Sequence, residues 1–569
     1  MRGRVAFACV WVVVSAWILL LAGAAGAADP GPTPDYVHLS WQNDPANTMT
    51  IMWRTMNGVT DQVVQYGPTA SYGQSATGTW AALPEGRGYS HTVEITGLAE
   101  NTPYHYRVGD GGSNWSGDKT FKTAFAGDNL CAPFRFISMG DARSSTGSGA
   151  SIYWSTVMDA ATDENPDFIL FGGDMIADGD EQEDGWEDFF DRAEGDLSKF
   201  PIMAVWGNHE HHGVSAFLDN FAFPVNDVTG TEDWYDFRVG PVHFFALSTE
   251  HGATGYQQQA TWMDEKLGDT DAPWTISFQH RPTYSSGTTH GSEPECQQYF
   301  LPVYDTHEID VNIGSHDHMY ERTKPVRNGT PIAGEDYSLG TMYLVSGGAG
   351  AFVNPILNIF NNFYLKGIGA THYVIFDVAF NRMRLTVKSE FGLTYDSFEW
   401  SKEELGYPTA AFTGPAGAIE ALEPATFDAS DAFDPCDTLA DYDWDFGDGL
   451  SGSGVIVDHA WDGPGTYTVT LTVTDNDGNT DTAQLDVTVL PAMPDDDTDD
   501  DSTDDDTTDD DTTDDDTADD DTTDDDSDDD TWFPDDDDSA DDDATADDDA
   551  TGGDSSGESG DDNDGGCGC

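Results

Sequence analysis

The sequence predicts a multidomain chain in which an α/β layered domain lies between two β-sandwiches and precedes a disordered acidic tail. Residues 34–125 alternate short apolar and polar runs separated by Gly, Pro and Asn, a pattern typical of a small β-sandwich. Residues 133–400 instead place short buried strands before helical patterns, which favours an α/β domain. Residues 407–491 return to strands, and residues 492–569 contain too few apolar side chains to form a core.

The first segment, residues 1–28, has the three parts of an export signal. Two arginines precede an apolar run over 5–22, and small residues follow it. This order predicts a secretory signal peptide that is cleaved after Ala27 or Ala28. An uncleaved membrane anchor is the alternative, because the run is about long enough to span a bilayer. We therefore expect a secreted, extracellular or cell-surface protein with no stable transmembrane segment after cleavage.

The chain is strongly acidic, with a formal net charge of −85 at pH 7. The tail carries 39 of the acidic residues and no Lys or Arg, so the preceding domains are acidic as well. Binding to nucleic acid requires basic side chains that displace counterions from phosphates. We therefore expect no nucleic acid partner.

Five cysteines remain after removal of the signal peptide, and export permits disulfide bonds among them. Because the number is odd, at least one thiol is free or pairs with another molecule. The sequence leaves the pairing open among Cys131, Cys296, Cys436, Cys567 and Cys569.

The N-terminal sandwich contains a characteristic corner. Leu98, Thr102, Tyr104 and Tyr106 form the pattern "GL…T.Y.Y.V". This pattern resembles the corner of fibronectin type III-like modules and predicts that fold for residues 34–125.

Five predicted strands of the middle domain end next to side chains that can bind a metal ion. Ligands in open α/β sheets gather beyond the carboxyl ends of the strands, so these side chains are expected to converge. Carboxylates, an amide oxygen and imidazoles suit Zn, Fe or Mn, and a bridging carboxylate would let two ions share one water of lowered pKa. Each motif alone has a simpler explanation, a turn for "GD" and a solvated loop for "HDH", but packing does not explain all five. The residues are Asp141 after "FISMG", Asp174 after "ILFGG", Asn208 and His209 after "MAVWG", His280 after "TISFQ", and His316 and His318 after "DVNIGS".

These motifs resemble those of a known family. "GDAR", "GGDMIADG", "GNHE", "SFQHRPTYSS" and "GSHDHMYER" match, in order, the five blocks of the calcineurin-like metallophosphoesterases. Together with the preceding β module, residues 34–400 resemble the purple acid phosphatases. The resemblance implies an α/β metallophosphoesterase sandwich of two sheets flanked by helices, with a dinuclear site of Fe, Zn or Mn. In this site, Asp141 and His318 would hold the first ion and Asp174 would bridge the two ions. The second ion would be held by Asn208, His280 and His316.

Three further residues receive roles from the same resemblance. His209 would contact the phosphate or the transition state. His290, ten residues after His280, would stabilise phosphate charge or protonate the leaving alkoxide, with a surface-loop histidine as the alternative. Arg143 would place a guanidinium on the phosphate, with an exposed surface charge as the alternative.

The sequence departs from the family at the first ion. Purple enzymes carry a Tyr three residues after the bridging Asp, where this chain has Ala177, and other relatives carry a His where this chain has Arg143. Water, phosphate or Asp178 would have to replace the lost ligand, and the purple colour should be absent. A milder change is Ser315 in place of the family's Gly.

The second sandwich contains "WDFGDG" followed by "GTYTVTLTVTDNDG", which resembles the PKD domain, an Ig-like β-sandwich. The pattern predicts Trp444 and Phe446 in the core and a turn at 447–449. The run 475–479 is either a Ca²⁺ loop or a hairpin turn. The acidic tail is either a diffuse Ca²⁺ binder or a solvated spacer. Any attachment to a cell surface or matrix would use the PKD-like domain or this tail.

The predicted function is that of a secreted, metal-dependent phosphoric ester hydrolase. An acid-phosphatase-like phosphomonoesterase that uses metal-activated hydroxide fits best, with a phosphate ester as substrate. One alternative is an extracellular phosphodiesterase or nucleotidase. Another is a surface- or matrix-binding protein with a degenerate metal domain.

Overall fold

The computed structural model describes residues 33–57, 61–147, 149–179, 182–211, 214–354, 362–402, 407–436, 438–476 and 478–493. The predicted signal peptide, the tail beyond residue 493 with its Cys567 and Cys569, and Asp477 lie outside these residues. In the described ranges, no helix is both long and apolar enough to cross a membrane.

The N-terminal region is a β-sandwich, as predicted. Its strands are β1 (Asp35–Ser40), β2 (Thr48–Thr55), β3 (Val63–Gly67), β4 (Gln74–Thr77), β5 (Thr79–Ala82), β6 (Tyr89–Thr96), β7 (Pro103–Gly109) and β8 (Lys119–Lys122). They form two antiparallel sheets, ordered β1-β2-β6-β5 and β4-β3-β7-β8. Apolar side chains of both sheets belong to one buried core, which explains the alternating buried positions of β6.

The sandwich is fixed firmly to the middle domain. Trp41 is fully buried and its ring lies 5.3 Å from that of Phe168. Arg54 pairs with both Asp35 of its own sheet and Glu187 of the middle domain, each at 2.9 Å. The two regions therefore share one continuous hydrophobic core.

The middle domain has two mixed β-sheets with helices, as the alternating pattern predicts. The first sheet uses β9 (Phe134–Met139), β10 (Phe168–Phe171), β11 (Ile202–Ala204), β21 (Tyr373–Ala379), β22 (Arg382–Lys388) and β23 (Thr394–Ser401), in the order β11-β10-β9-β21-β22-β23. The second uses β12 (Tyr235–Val239), β13 (Val242–Leu247), β14 (Trp274–Gln279), β15 (Val311–Gly314), β16 (Tyr320–Thr323), β19 (Met342–Ser346) and β20 (Tyr364–Ile368), in the order β12-β13-β14-β15-β19-β16-β20. A small hairpin pairs β17 (Val326–Arg327) with β18 (Thr330–Pro331).

The helices of this domain follow the strands. They are α1 (Trp154–Thr162), α2 (Gln182–Asp191), α3 (Glu194–Leu197), α4 (Asn208–His211), α5 (Val214–Asn220), α6 (Ala253–Asp269) and α7 (Leu301–His307), the last preceded by a π-helical turn at Cys296–Phe300. Between the sheets, Phe136 of β9 contacts Phe244 of β13 edge-on at 5.3 Å and stacks on Phe376 of its own sheet at 4.5 Å. This aromatic layer fixes the sheets, and hence the strand ends, relative to each other.

The third domain is a second β-sandwich. It comprises β24 (Ile419–Glu420), β25 (Ala425–Asp428), β26 (Leu439–Asp445), β27 (Ser451–Ser453), β28 (Ile456–His459), β29 (Gly465–Asp475) and β30 (Thr480–Leu490), in sheets β24-β30-β29-β26-β27 and β25-β28. Trp444 and Phe446 are buried, as predicted. The run 475–479 connects β29 to β30, and the Asp475 carboxylate accepts the Asn479 N–H at 2.8 Å, which favours the hairpin interpretation.

A disulfide between Cys131 and Cys436 ties this domain to the start of the middle domain, while Cys296 is a buried free thiol.

Candidate metal centre

The candidate site lies where parallel strands of the two sheets end. In the first sheet β10 runs parallel to both β9 and β11, and in the second β14 runs parallel to β15. Their carboxyl ends therefore meet at one edge, as the sequence predicts. The loops after these strands carry Asp141, Asp174, Asn208 with His209, His280, and His316 with His318.

The structure brings five of the predicted ligands into two overlapping groups. The ligand atoms of Asp141, Asp174 and His318 lie within 4.8 Å of one another, and so do those of Asp174, His280 and His316. All five residues are buried, and Asp174 belongs to both groups. This shared carboxylate stands where the resemblance places a bridging ligand.

Asn208 completes the second group from the side of the first sheet. Its Oδ1 lies 3.1 Å from His280 Nε2, and His280 Nε2 lies 3.3 Å from Asp174 Oδ1. The second group thus has four candidate donors, whereas the first has three.

Three ligand positions adopt a left-handed backbone. Asp141, Asp174 and His316 have φ angles of 63°, 55° and 68°, a conformation that costs a non-glycine residue roughly 1 kcal/mol or more. Hydrogen bonds hold these turns: Asp141 N–H donates to the Gly173 carbonyl at 2.9 Å, and His316 N–H donates to Asp141 Oδ2 at 2.8 Å. Strain at three candidate ligands indicates that these loops are shaped for a site.

Glycines permit the close approach of the two loops that carry Asp174 and Asn208. A Cβ on Gly173, where φ is 87°, would lie 2.6 Å from the Gly207 nitrogen. A Cβ on Gly207 would lie 2.2 Å from Asp174 Oδ1. Gly173 and Gly207 therefore have no room for a side chain, because the backbone and the Asp174 carboxylate approach them too closely.

Glu210 holds the same two loops together, a role that was not predicted from the sequence. Its fully buried carboxylate accepts hydrogen bonds from the backbone N–H groups of Asp174 at 2.9 Å, Ile176 at 3.1 Å and Gly207 at 2.8 Å. Burial, together with the Asp174 charge, raises the pKa of Glu210 to about 7. The acidic residue in "GNHE" was a signal for this role, because a buried carboxylate needs several donors.

Two histidines are oriented by backbone carbonyls on their far side. His280 Nδ1 donates to the Gly172 carbonyl at 2.8 Å, and His318 Nδ1 donates to the Phe352 carbonyl at 2.7 Å. These bonds fix the tautomer and leave each Nε2 facing the carboxylates, an arrangement typical of metal-binding histidines.

His209 is oriented in the same way, at the edge of the site. Its Nδ1 donates to the Ala177 carbonyl, and its Nε2 lies 3.8 Å from Asp174 Oδ2. About a quarter of the side chain is accessible, at 27%. His209 can therefore reach a molecule bound at the carboxylates.

His290 also lies at the site, because its loop is anchored to Asp317. Asp317 Oδ2 accepts from Ser285 Oγ at 2.6 Å and from Gly291 N–H at 3.0 Å. The His290 ring is 3.8 Å from that of His316, measured between centroids. His290 is an exposed loop residue, and this contact nevertheless lets it reach a molecule bound beside His316.

The donor set fits a metal ion. The buried Asp141 Oδ1 and His316 Nδ1 make no hydrogen bond within the described part of the chain. Burial and the neighbouring His280 lower the pKa of His316, which keeps its imidazole neutral and able to bind a cation. Asp141 belongs to the first group and His316 to the second, so each group contains a buried O or N atom that is free to bind a Zn, Fe or Mn ion.

Arg143 lies inside the first group. Its Nε is 3.2 Å from Asp174 Oδ2, and its Nη2 is 3.4 Å from His318 Nε2. The side chain is only 18% exposed, so the alternative of a free surface charge is wrong.

A second guanidinium, absent from the sequence-based prediction, lies beside the second group. Arg281 Nη1 is 3.4 Å from His316 Nε2. Glu250 holds this guanidinium through two bonds of 2.7 and 3.0 Å, and Glu293 lies 3.7 Å away. The position of Arg281 directly after His280 was the sequence signal that it lies at the site. Its carboxylate partners, Glu250 and Glu293, are distant in sequence and could not be predicted in this way.

The departures from the family remain visible in the structure. Ala177 contributes its carbonyl to His209 and has no side-chain donor. Asp178 belongs to neither ligand group of the described residues. Ser315 fills the space beside Gly140 and Gly172, since a Cβ on either glycine would lie within 2.3 Å of its Oγ.

Comparison with known families assigns all three domains. Residues 34–123 match the purple acid phosphatase N-terminal domain, residues 122–320 match the calcineurin-like phosphoesterases, and residues 406–489 match the PKD domain.

Among individual relatives, purple acid phosphatase 15 of Arabidopsis thaliana is 27% identical over 46% of this chain and 54% of its own length. The chain thus spans about half of that relative. Human acid phosphatase type 7 is 27% identical over 58% of this chain and 80% of its own length. The purple acid phosphatase PPD1 from yellow lupin seeds has the same fold, with a TM-score of 0.59 at 20% identity, covering 65% of this chain and 74% of that one. The chain therefore combines a purple acid phosphatase N-terminal domain, a calcineurin-like phosphoesterase domain and a PKD domain.

Proposed function

We propose that this chain is a secreted, metal-dependent phosphoric monoester hydrolase of the acid phosphatase type. The observation that supports this most strongly is the single buried carboxylate, Asp174, shared by two groups of candidate ligands. Bound metal would supply an activated water and positive charge for the phosphoryl oxygens. The remaining work falls to the chain's own residues, which bind and orient the ester.

The proposed ligand sets follow the two groups. One position would use Asp141, Asp174 and His318, and the other would use Asp174, Asn208, His280 and His316. The mixed oxygen and nitrogen donors suit Fe, Zn or Mn. Because Ala177 stands where a tyrosine would bind ferric iron, we expect a colourless protein.

Three side chains would contact the phosphate. His209, with its Nδ1 fixed on a carbonyl, presents its Nε2 edge to the carboxylate pair. His290 approaches from the opposite sheet, next to His316, where it would stabilise a phosphate oxygen or donate a proton to the leaving alkoxide. Arg143 would add a guanidinium on the side of His318.

Hydrolysis of p-nitrophenyl phosphate by the full mature chain tests the proposal. Protein loaded with Mn, Zn or Fe should release p-nitrophenol, and Asp174→Ala should abolish this release. Asp269→Ala, an exposed aspartate at the end of α6, serves as the matched control and should keep full activity. Activity that survives Asp174→Ala would contradict the site assignment.

The type of ester is tested with a second substrate. A monoesterase should turn over p-nitrophenyl phosphate much faster than bis-p-nitrophenyl phosphate, because the guanidinium and histidines face a phosphate with free oxygens. Faster turnover of the diester would favour the phosphodiesterase alternative. Export is tested by N-terminal sequencing of secreted protein, which should begin at Ala28 or Asp29.

A further inference from the structure

The position of Arg143 bears on how many metal ions the site holds. Its guanidinium lies between two candidate ligands of the first group, with Nε 3.2 Å from Asp174 Oδ2 and Nη2 3.4 Å from His318 Nε2. A metal ion bound by this group would have to contact the same carboxylate and the same imidazole nitrogen. The guanidinium and the ion would therefore compete for the same partners.

The backbone fixes Arg143 in this place. Its N–H donates to the Asp174 carbonyl at 3.0 Å, and residue 143 forms an isolated β-bridge with Ala150. The side chain thus starts from a backbone that is bonded to the Asp174 loop itself. The side chain therefore begins close to the Asp174 carboxylate and reaches it directly.

The two guanidinium groups of the site differ in what neutralises them. Arg281 is held by Glu250 and Glu293, neither of which belongs to a ligand group. The carboxylate that pairs with Arg143 is Asp174. Only Arg143 therefore uses a candidate metal ligand as its counter-ion, and only Arg143 should oppose metal binding.

The donor count points in the same direction. The first group has Asp141, Asp174 and His318 as donors in the described residues, whereas the second adds Asn208 to its three. A cation in the first group would have one protein donor fewer and a positive charge beside it, and both differences weaken its binding.

We infer that the Arg143 guanidinium takes the place of the first cation, so that the chain binds one metal ion tightly, at Asp174, Asn208, His280 and His316, and a second ion only weakly. This inference rests on the proposed function, because it concerns the same metal centre. The guanidinium would keep the first position positively charged and present N–H donors to a phosphate oxygen, and the tightly bound ion would supply the acidity that activates water.

Metal stoichiometry tests the inference independently of activity. Full mature chain is equilibrated with Mn²⁺ at buffered free concentration, and bound metal is measured by elemental analysis together with the electron paramagnetic resonance spectrum. Wild type should bind one ion per chain and show the spectrum of isolated Mn²⁺. Arg143→His removes the cation and adds a donor, so this variant should bind two ions and show a spin-coupled pair.

Two further variants separate charge from ligation. Arg143→Lys keeps the positive charge and should still bind one ion. Arg143→Ala removes the charge without adding a donor and should tighten binding of the second ion by at least about tenfold. Two equally tight ions in wild type, or one ion in both the His and Ala variants, would overturn the inference.

The same samples, assayed with p-nitrophenyl phosphate, test the inference about Arg143 separately from the proposed function. Two tightly bound ions with hydrolysis by wild type would overturn the inference about Arg143 and leave the proposed function standing. No bound ion in any variant would overturn both.

Discussion

Replacement of Glu210 by Gln should loosen the metal centre although Glu210 is not a proposed ligand. The carboxylate accepts three backbone hydrogen bonds, two on Oε2 from Asp174 and Gly207 and one on Oε1 from Ile176. Gln has the same size, but its amide nitrogen donates and cannot accept. In the better of its two orientations, the Ile176 N–H loses its acceptor and faces another donor.

The size of the effect follows from these contacts. A hydrogen bond to a charged acceptor contributes about 1.5–3 kcal/mol, and a buried donor without a partner costs about 1–3 kcal/mol. Glu210 is completely buried, so water cannot replace the lost partner. We expect a loss of about 2–4 kcal/mol in the free energy of unfolding of the middle domain. Displacement of the Asp174 and Asn208 loops should lower kcat by roughly 10- to 100-fold.

The assay is urea unfolding at pH 8, above the pKa of about 7 at which Glu210 ionises, together with kcat for p-nitrophenyl phosphate. Glu265→Gln, an exposed position on α6, is the matched control and should change neither quantity. If Glu210→Gln unfolds at the wild-type urea concentration and keeps the wild-type kcat, the clamping role of Glu210 is refuted.

Three other predictions concern stability and colour. Burial lowers the pKa of His38 to about 4, so below pH 6.5 the unfolded chain gains a proton that the folded chain does not. The free energy of unfolding should therefore fall by about 3 kcal/mol as the pH drops from 6.5 to 4. The variant His38→Asn, which can still donate to the Tyr36 carbonyl, should show a flatter pH dependence of this free energy, and an unchanged slope would contradict the assignment. The Cys131–Cys436 bond closes a separation of 305 residues and should contribute on the order of 5 kcal/mol to the free energy of unfolding. Reductant should lower the Tm of wild type but not that of the double Cys131→Ser, Cys436→Ser variant, and equal changes in both proteins would contradict this contribution. Iron-loaded protein should show no visible tyrosinate-to-iron absorption, because Ala177 replaces the tyrosine; a purple sample would mean that another tyrosine reaches the iron.

The convergence of the candidate ligands was predictable because it depends on where short strands end and on the topology of the sheets. Asp141, Asp174, His280 and His316 each follow a short apolar strand, and parallel strands bring their carboxyl ends to one edge whatever the loop lengths between them. The sandwich folds of the flanking domains were predictable for a similar reason, since alternation of apolar and polar residues fixes which face is buried.

The residues that hold the ligands were harder to predict. Glu210 accepts from backbone N–H groups of the Asp174 loop and of its own loop, so "GNHE" indicated the residue but not its partners across the site. Arg281 depends on Glu250, which lies 31 residues away on a different strand end. The partner of Cys131 lies in another domain, so its pairing depends on how the domains pack.

In the proposed function, buried ligands around Asp174 hold the metal with which the chain hydrolyses phosphate monoesters. Its most direct test measures metal content and p-nitrophenyl phosphate turnover on the same preparation of wild type and Asp174→Asn, a variant that preserves the side-chain shape and removes the charge. Wild type should show metal-dependent turnover, and the variant should lose both bound metal and turnover. Equal metal content and equal turnover in the two proteins would contradict it.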